Sequence, residues 1–351
     1  MKKYLSVDPW SIIENGFYPD YQEISESIFS LGNGRFGGRG NFEEGYSGKT
    51  LPGAYFAGVY YPDITRVGWW KNGYPEYFAK VLNGVQWIGI DVKIDGTKLD
   101  LATTPCTNFK RVLNMQQGLL QRSFEITPDT GGILSFSFER FCSMADPDIA
   151  CISMRILSSG FSGKLEVTPY LDFDVHNRDA NYGDQFWHDT KTNQDQSHSM
   201  VSSKTKKTNF TVSAFMHAQS TVNGEHSLST FGTVEEKKVS YSFVANIKDG
   251  DIFDLQKFVV NLNSLYVAEA DQPETGRSKL SQVVNQGYEN LKGNHFDAWN
   301  NIWDTADIQI KGDIPAQQGI RFNIFQLWQT YTGKDARLNI GPKGFTGEKY
   351  A

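Results

Sequence analysis

The stretch Gln117-Gly-Leu-Leu-Gln-Arg-Ser-Phe-Glu-Ile-Thr-Pro-Asp-Thr-Gly-Gly-Ile-Leu-Ser-Phe-Ser-Phe138 holds two alternations with period two. Leu120, Arg122, Phe124 and Ile126 form one, Leu134, Phe136 and Phe138 the other, with Gly131-Gly132 in the turn between them. A period of two lines every second side chain on one face of a strand, and turn residues at this spacing fold consecutive strands side by side. The pattern extends in both directions. Upstream, Ile88, Ile90, Val92 and Ile94 alternate into Asp95-Gly96, a two-residue hairpin signal, before Leu99 and Leu101. Downstream come Ala150 to Ile156, Leu165-Glu-Val167, Phe210 to Met216, Val239 to Ala245, and Phe253 with Leu255. This predicts a mostly-β fold, a large antiparallel β-sandwich over residues 1–268, with its core complete by about residue 262.

Past Leu262 the period changes. Leu280, Val283, Val284, Tyr288, Leu291, His295, Ala298, Trp299, Ile302 and Trp303 fall at steps of three and four, which predicts a helical linker over 269–306, broken near Gly293. Asp307 to Lys311 reads as a short strand. Asp313 then caps a helix with Pro315 in its first turn, and Gly333 ends it. Phe322, Phe325, Trp328 and Tyr331 are expected to be exposed, in some combination, on that helix. Residues 307–351 form the third segment.

The composition excludes several function classes. Forty acidic residues against 34 basic give a net charge of −6, unlike the basic surplus of nucleic-acid binders. Lys204-Thr-Lys206-Lys207 reads as a solvated turn. There is no run of eighteen apolar residues to span a bilayer. The N-terminal lysine pair has no apolar core behind it, so a secretory signal is not expected and a cytoplasmic location is. Cys106, Cys142 and Cys151 are too few and scattered for a disulfide framework or a zinc site, and read as free thiols. Aromatic residues make up 14% of the chain, which suits a sandwich core and also the stacking of sugar rings.

Four stretches stand outside the periodic pattern. Gly32, Gly34 and Gly37 spell G-x-G-x-x-G, but more glycines and a Tyr-Ser-Gly-Lys turn follow where a dinucleotide-binding unit needs a helix. The reading is a tightly turned backbone with positive φ and close strand approach, with Arg35, Arg39, Glu43 and Glu44 in buried or half-buried ion pairs. Residues 46–84 form a long irregular segment with Trp69, Trp70 and Lys71 at its centre, a candidate interface. Tyr170 to His188, with Asp174, His176, Arg178 and Tyr182, is polar and aromatic. Its Asp and His density invites a metal reading, but metal-ligand spacings such as H-x-x-x-H are absent. It is either a polar insertion or a loop facing a ligand or an interface. The fourth stretch is Arg337 to Ala351, a glycine-rich loop after a helix.

Several of these motifs together resemble glycoside hydrolase family 65, the inverting phosphorylases of α-linked glucose disaccharides. They are Arg321-Phe-Asn-Ile-Phe-Gln-Leu327, Arg337-Leu-Asn-Ile-Gly-Pro-Lys-Gly-Phe-Thr-Gly-Glu-Lys-Tyr350, Glu26-Ser27, Leu31-Gly-Asn-Gly34, Arg39-Gly40 and Glu43-Glu44. Val67-Gly-Trp-Trp-Lys-Asn-Gly-Tyr-Pro75 and Asp174-Val-His-Asn-Arg-Asp-Ala-Asn-Tyr182 are similar to the maltose-specific branch of that family. The resemblance implies a galactose-mutarotase-like super-sandwich, a helical linker, and the first helix of an (α/α)6 catalytic barrel whose remainder is expected to be missing. The family's Trp-Asp donor segment, its general-acid Glu and its phosphate-binding residues all fall beyond Tyr350, so no catalytic residue is expected here and the chain alone is expected to be inactive.

The implied reaction is maltose plus phosphate giving glucose and β-glucose 1-phosphate, a hexosyl transfer. It uses inorganic phosphate as co-substrate and no dissociable cofactor. The implied partners are an α-linked disaccharide, phosphate and a second copy in a homodimer. Lys343, Thr346 and Glu348 are candidates to touch sugar, or else to cap neighbouring helices while Gly341-Pro342 and Gly344 shape the loop. Trp69, Trp70, Lys71, Asp174, His176, Arg178 and Tyr182 are candidates for an interface or lid. Two other functions stay open: phosphorolysis or hydrolysis of kojibiose, nigerose or trehalose, and a stand-alone carbohydrate-binding or interaction module.

Overall fold

A computed structural model of the chain describes residues 4–64, 73, 75–178, 185–195, 198–227, 230, 232–338, 340–341 and 343–348. The alternating stretches become one large antiparallel sheet. From edge to edge it runs Leu5–Val7, Ser11–Asn15, Cys106–Asn114, Leu119–Ile126, Ile133–Cys142, Ile149–Ser159, Ile252–Asn263, Thr211–Val222, Ser199–Thr205 and Trp187–Gln194, with Glu225–Ser227 beside Thr211–Val222. A second sheet combines Thr233–Val234, Lys238–Ser240, Gly163–Asp172, Ile90–Ile94 and Thr97–Lys98, and Phe243–Ile247 also pairs with Gly163–Asp172. The Asp95-Gly96 turn has φ of 48° and 86°, the mirror-image turn that suits a two-residue hairpin. Phe124, Phe136 and Phe138 stack on the inner face of the large sheet, and the second sheet covers that face with Ile90, Val92, Leu165 and Val167.

Three longer helices follow the sandwich. Helix α1 (Gln22–Ile28) precedes them near the N-terminus, and α2 (Gln272–Gln286), α3 (Tyr288–Ala306) and α4 (Ile314–Thr330) come after the last strand. The α2–α3 pair does more than link. Leu280, Val283, Tyr288 and Leu291 enclose a second core with Phe141, Cys151, Phe215 and Phe258 on the outer face of the large sheet. The expectation that the core closes by residue 262 is therefore corrected, because those sheet residues need the helices to leave water. The helical break falls at Gly287, whose φ is 79°, and Gly293 lies inside α3.

Asp313 caps α4 by accepting from Ala316 N at 2.9 Å, as its spacing predicts. Asp307 to Lys311 pairs with no strand among the described residues. The Gln317 side chain stands in for a neighbouring strand there, donating to Ile308 O at 2.8 Å and accepting from Ile310 N at 2.6 Å. The aromatic face expected to be exposed on α4 is instead turned inward. Phe325 is fully buried, stacked on Trp299 at 4.9 Å, and Phe322 and Trp328 pack on the core, leaving Leu327 55% exposed. Among the described residues, no helix is long and apolar enough to cross a membrane. The three cysteines are free, and burial pushes the Cys142 thiol up to about 12.

A layer of charge runs through the inner face of the sandwich. Arg111, Arg122 and Arg140 come from three neighbouring strands and are all buried. Together they grip residues 39–44, which cross above them. Arg140 donates to Arg39 O at 3.0 Å, Asn41 O at 2.9 Å and Glu43 Oε1 at 2.7 Å. Arg122 reaches Glu43 at 2.8 Å and Glu44 at 2.7 Å, with its guanidinium 4.2 Å above the Phe42 ring. Arg111 holds Gly40 O at 3.1 Å, Glu14 at 3.0 Å and Gln22 at 2.9 Å. Burial alone would raise the Glu43 carboxyl, but Arg140 and Arg122 outweigh it and hold it below its ordinary value. Glu43 and Glu44 are thus in ion pairs as expected, with sheet arginines as partners. Arg39 pairs with Glu26 at 3.6 Å and Arg35 with Asp148 at 2.9 Å. Lys257 bridges the two sheets by donating to Gly89 O and Tyr170 O at 2.9 and 2.7 Å.

His295 fastens α3 to the sandwich. Its Nδ1 accepts from Met144 N and its Nε2 donates to Gly118 O, both at 3.1 Å, while the ring stacks on Phe141 at 4.7 Å. Burial lowers its pKa from 6.5 to about 4. The unfolded chain therefore binds this proton more readily, and the stability held above pH 6.5 is lost as pH falls toward 4, by about 3 kcal/mol in all. Urea midpoints at about pH 7 and about pH 4.5 should differ more for the parent chain than for His295→Gln, and equal differences contradict the assignment.

Candidate functional site

The terminal segment is seated on the glycine cluster. Leu31–Gly32, Phe36–Gly38 and Ala54–Phe56 form a small three-stranded sheet in which Gly32 lies opposite Gly37. The Phe345 ring rests on both. A Cβ at Gly32 would lie 2.3 Å from it, and one at Gly37 would lie 2.7 Å away. Phe345 is 4% exposed as a result. Gly34, with φ of 81°, turns the chain so that its N–H donates to Gln329 O at 2.7 Å, serving one of the last carbonyls of α4. The glycine fingerprint is a docking floor for a helix end and an aromatic ring, which explains its likeness to a nucleotide motif without a nucleotide.

Polar contacts then tie the loop down. Thr346 O accepts from the Arg39 guanidinium and from Ser27 Oγ at 3.1 Å. Arg39 also donates to Glu23 O at 2.6 Å, and its own carbonyl is held by Arg140, so the buried ionic layer reaches the loop through one residue. Thr346 closes the turn on itself, its N–H and hydroxyl both donating to Lys343 O at 3.1 and 2.7 Å. Glu348 is fully buried and accepts from Arg178 N, while the Arg178 guanidinium pairs with Glu23. Glu23 also faces Lys49 at 3.3 Å. Burial opposes ionisation there, but the hydrogen bonds from Arg178 and Lys49 hold its carboxyl below the ordinary value.

The segment before Arg178 is anchored in turn. Asn177 donates to Val81 O at 2.8 Å and accepts from Asn83 N at 2.9 Å, and Asn83 donates to His176 O at 3.2 Å. Of the sequence-predicted residues, the structure brings together Lys343, Thr346, Glu348 and Arg178. His176 contributes its carbonyl, and its side chain is exposed. Asp174 lies apart, paired with Lys237 at 3.0 Å. Trp69, Trp70, Lys71 and Tyr182 lie outside the described residues. Sequence reasoning missed Glu23, Ser27 and the role of Phe345. Their one signal was the pair of short motifs Glu26-Ser27 and Gly344-Phe-Thr-Gly347, which nothing local connects.

Chemically the arrangement is an anchored loop. Both Thr346 oxygens and one Glu348 oxygen are engaged within the protein. A pocket of about 50 Å³ lies at its foot, lined by Gly34, Arg35, Tyr266, Thr332, Asp335 and Leu338 among others. There the Arg35 guanidinium sits 3.5 Å over the Tyr266 ring, and Arg337 holds Asp335 at 2.7 Å. Two wider grooves, of about 420 and 470 Å³, open around Ser137 and Arg155 and around Thr103 and Thr130. Neither includes a sequence-predicted site residue.

Comparison with known proteins is consistent along the chain. The family model for the Glycosyl hydrolase family 65 N-terminal domain matches residues 12–302, and that for the family 65 central catalytic domain matches residues 321–351. Maltose phosphorylase of Bacillus subtilis is 42% identical over 356 residues, covering 99% of this chain and 46% of the relative. Alpha,alpha-trehalose phosphorylase of Thermoanaerobacter brockii is 30% identical, covering 98% and 45%. A solved structure from the human microbiome, provisionally named a kojibiose phosphorylase, superposes with a TM-score of 0.89 at 28% identity, covering 99% of this chain and 45% of that one. The chain thus spans about half the length of the relatives it matches.

The glycine floor yields a test. Gly32→Ala drives a methyl into the Phe345 ring, a clash worth about 1–3 kcal/mol that is relieved by lifting the loop. Trypsin should then cut after Lys343 several-fold faster than in the parent chain, and an unchanged rate contradicts the docking role.

Proposed function

We propose, from the fact that this chain belongs to glycoside hydrolase family 65, that it forms the N-terminal portion of an inverting disaccharide phosphorylase. Residues 1–268 are its sandwich, 269–306 its helical segment and 307–351 the start of its catalytic barrel. Maltose is the proposed disaccharide and a homodimer the proposed assembly. The higher identity to the maltose enzyme than to the trehalose enzyme supports that choice of substrate. The observation that carries the reading is the seating of the terminal loop. Phe345, Thr346 and Glu348 are held by four separate stretches of the sandwich, so the start of the catalytic segment is positioned before the rest of the barrel is added.

The chemistry explains the need for such positioning. In inverting phosphorolysis one carboxylic acid protonates the leaving oxygen while phosphate attacks the anomeric carbon from the opposite face. Phosphate is already an anion, so it needs orientation and cationic or N–H donors more than a base. We place the acid and the phosphate donors outside this chain. Within it, the Lys343–Glu348 turn forms one wall of the sugar pocket, with Lys343 facing the substrate side and Thr346 and Glu348 holding its shape. Arg178 backs the wall from the sandwich.

Residues 1–351 alone should release no glucose 1-phosphate from maltose and phosphate. Joined to the remainder of the Bacillus subtilis maltose phosphorylase in place of its matching portion, they should restore phosphorolysis, with the β anomer of glucose 1-phosphate seen by proton NMR. A folded fusion that is inactive, or that releases the α anomer, contradicts the reading. Turnover of trehalose or kojibiose with phosphate in preference to maltose would reassign the substrate, and maltose binding by residues 1–351 alone in calorimetry would favour the stand-alone module. In the fusion, Lys343→Ala should raise KM for maltose with little change in kcat, and an unchanged KM removes Lys343 from the wall.

A further inference from the structure

Tyr60–Ile64 and Tyr77–Val81 form a two-stranded ribbon that pairs with no other strand among the described residues. Its inward face joins two charges to two aromatic rings, Tyr61 and Phe78. Asp63 and Lys80 point inward, 4% and 2% exposed and 3.6 Å apart, with Lys80 also over the Phe78 and Phe186 rings. The opposite face carries the cross-strand pairs Tyr60 with Val81, Pro62 with Ala79 and Ile64 with Tyr77, none of them charged. Tyr60, Ile64 and Tyr77 are 40%, 37% and 53% exposed. A one-residue slip would exchange the two faces, so the buried Asp63–Lys80 pair fixes an orientation that a ribbon surrounded by water would not adopt. An apolar ladder displayed in this way is built to be covered.

The feet of the ribbon identify what covers it. The first strand starts two residues after Gly58, where a Cβ would lie 2.7 Å from Leu265 and 2.8 Å from Leu338. The second ends at Val81, whose carbonyl is held by Asn177, the neighbour of Arg178, which donates to Glu348. Leu338 and Glu348 both belong to the segment matched by the central catalytic domain. The ribbon therefore rises beside the contact between the sandwich and the first part of that domain, with Tyr60 resting against Phe210 of the sandwich at 5.6 Å. Six partly exposed side chains are also a small patch beside the roughly 800 Å² per partner of a stable dimer.

We propose that the outer face of this ribbon is a docking surface for the family 65 catalytic domain beyond the part present in residues 321–351. The proposal rests on the reading of the chain as the N-terminal portion of a phosphorylase. The test is the paired substitution Ile64→Asp with Tyr77→Asp, made both in residues 1–351 alone and in the fusion described above. In residues 1–351 alone the melting temperature should stay within about 2 °C of the parent, because the face is exposed there. In the fusion it should drop by about 3–6 °C, and protease should cleave between the two parts faster. Equal shifts in the two contexts overturn the proposal. So does a fusion that merely passes from dimer to monomer at unchanged melting temperature, which would assign the face to a second copy. If the aspartates destabilise residues 1–351 themselves, Ile64→Ser with Tyr77→Ser is read by the same comparison. Failure of the phosphorylase reading looks different: the unmodified fusion folds but makes no β-glucose 1-phosphate, and the melting comparison still decides the ribbon.

Discussion

The arginine layer under residues 39–44 is the constraint on which the rest of the molecule depends. Three guanidinium groups buried in a sandwich core are costly unless every charge is paired and every donor used. Arg111, Arg122 and Arg140 all take carbonyl or carboxylate oxygens from one irregular stretch of chain, and Glu14 supplies the charge partner of Arg111. The stretch can be irregular because it is held by side chains from the sheet and needs no strand neighbour along most of its length. Removing Arg122 would leave Glu44 buried without its cation, and removing Arg111 would do the same to Glu14.

From this layer the order passes outward. Arg39 is held by its carbonyl from below and uses its guanidinium above, on Glu23 O and Thr346 O. The glycine floor beside it accepts Phe345 at distances that any side chain would forbid. A loop that would wander at the end of a helix is thereby given one position by the sandwich. That division of labour suits the proposed reading, in which a rigid β scaffold sets where the catalytic segment begins.

Much of this architecture was legible in the sequence. The period-two runs from Ile88 to Leu255 locate the strands because each has one face in the core, and the change of period after Leu262 locates the helices. Other elements were silent for physical reasons. Trp187–Gln194 and Ser199–Thr205 are strands made of Ser, Thr, Asn and Lys, whose pairing comes from backbone hydrogen bonds and leaves no apolar alternation. The ribbon hides its charges beside Tyr61 and Phe78 and shows Tyr60, Ile64 and Tyr77, so charge does not mark its outer face as it does in an ordinary half-exposed strand. The helical break went to Gly287 over Gly293 because the positive φ is needed where α2 ends, and sequence marks both glycines alike. At the site, Lys343, Thr346 and Glu348 were visible as polar residues in a glycine loop. Their partners Ser27, Arg39 and Arg178 lie more than 160 residues away, and no local pattern could join them.

The central claim is that the buried ionic layer, acting through Arg39, sets the position of the terminal loop. Hydrogen exchange at the Gly344–Glu348 amides in Arg140→Met tests it most directly, because among the described residues Arg140 makes no hydrogen bond or ion pair with the loop. The account predicts that these amides exchange several-fold faster in the variant while the Ile149–Ser159 and Ile252–Asn263 strands keep their protection. Loop exchange unchanged from the parent chain, with Arg39 released from below, would contradict it.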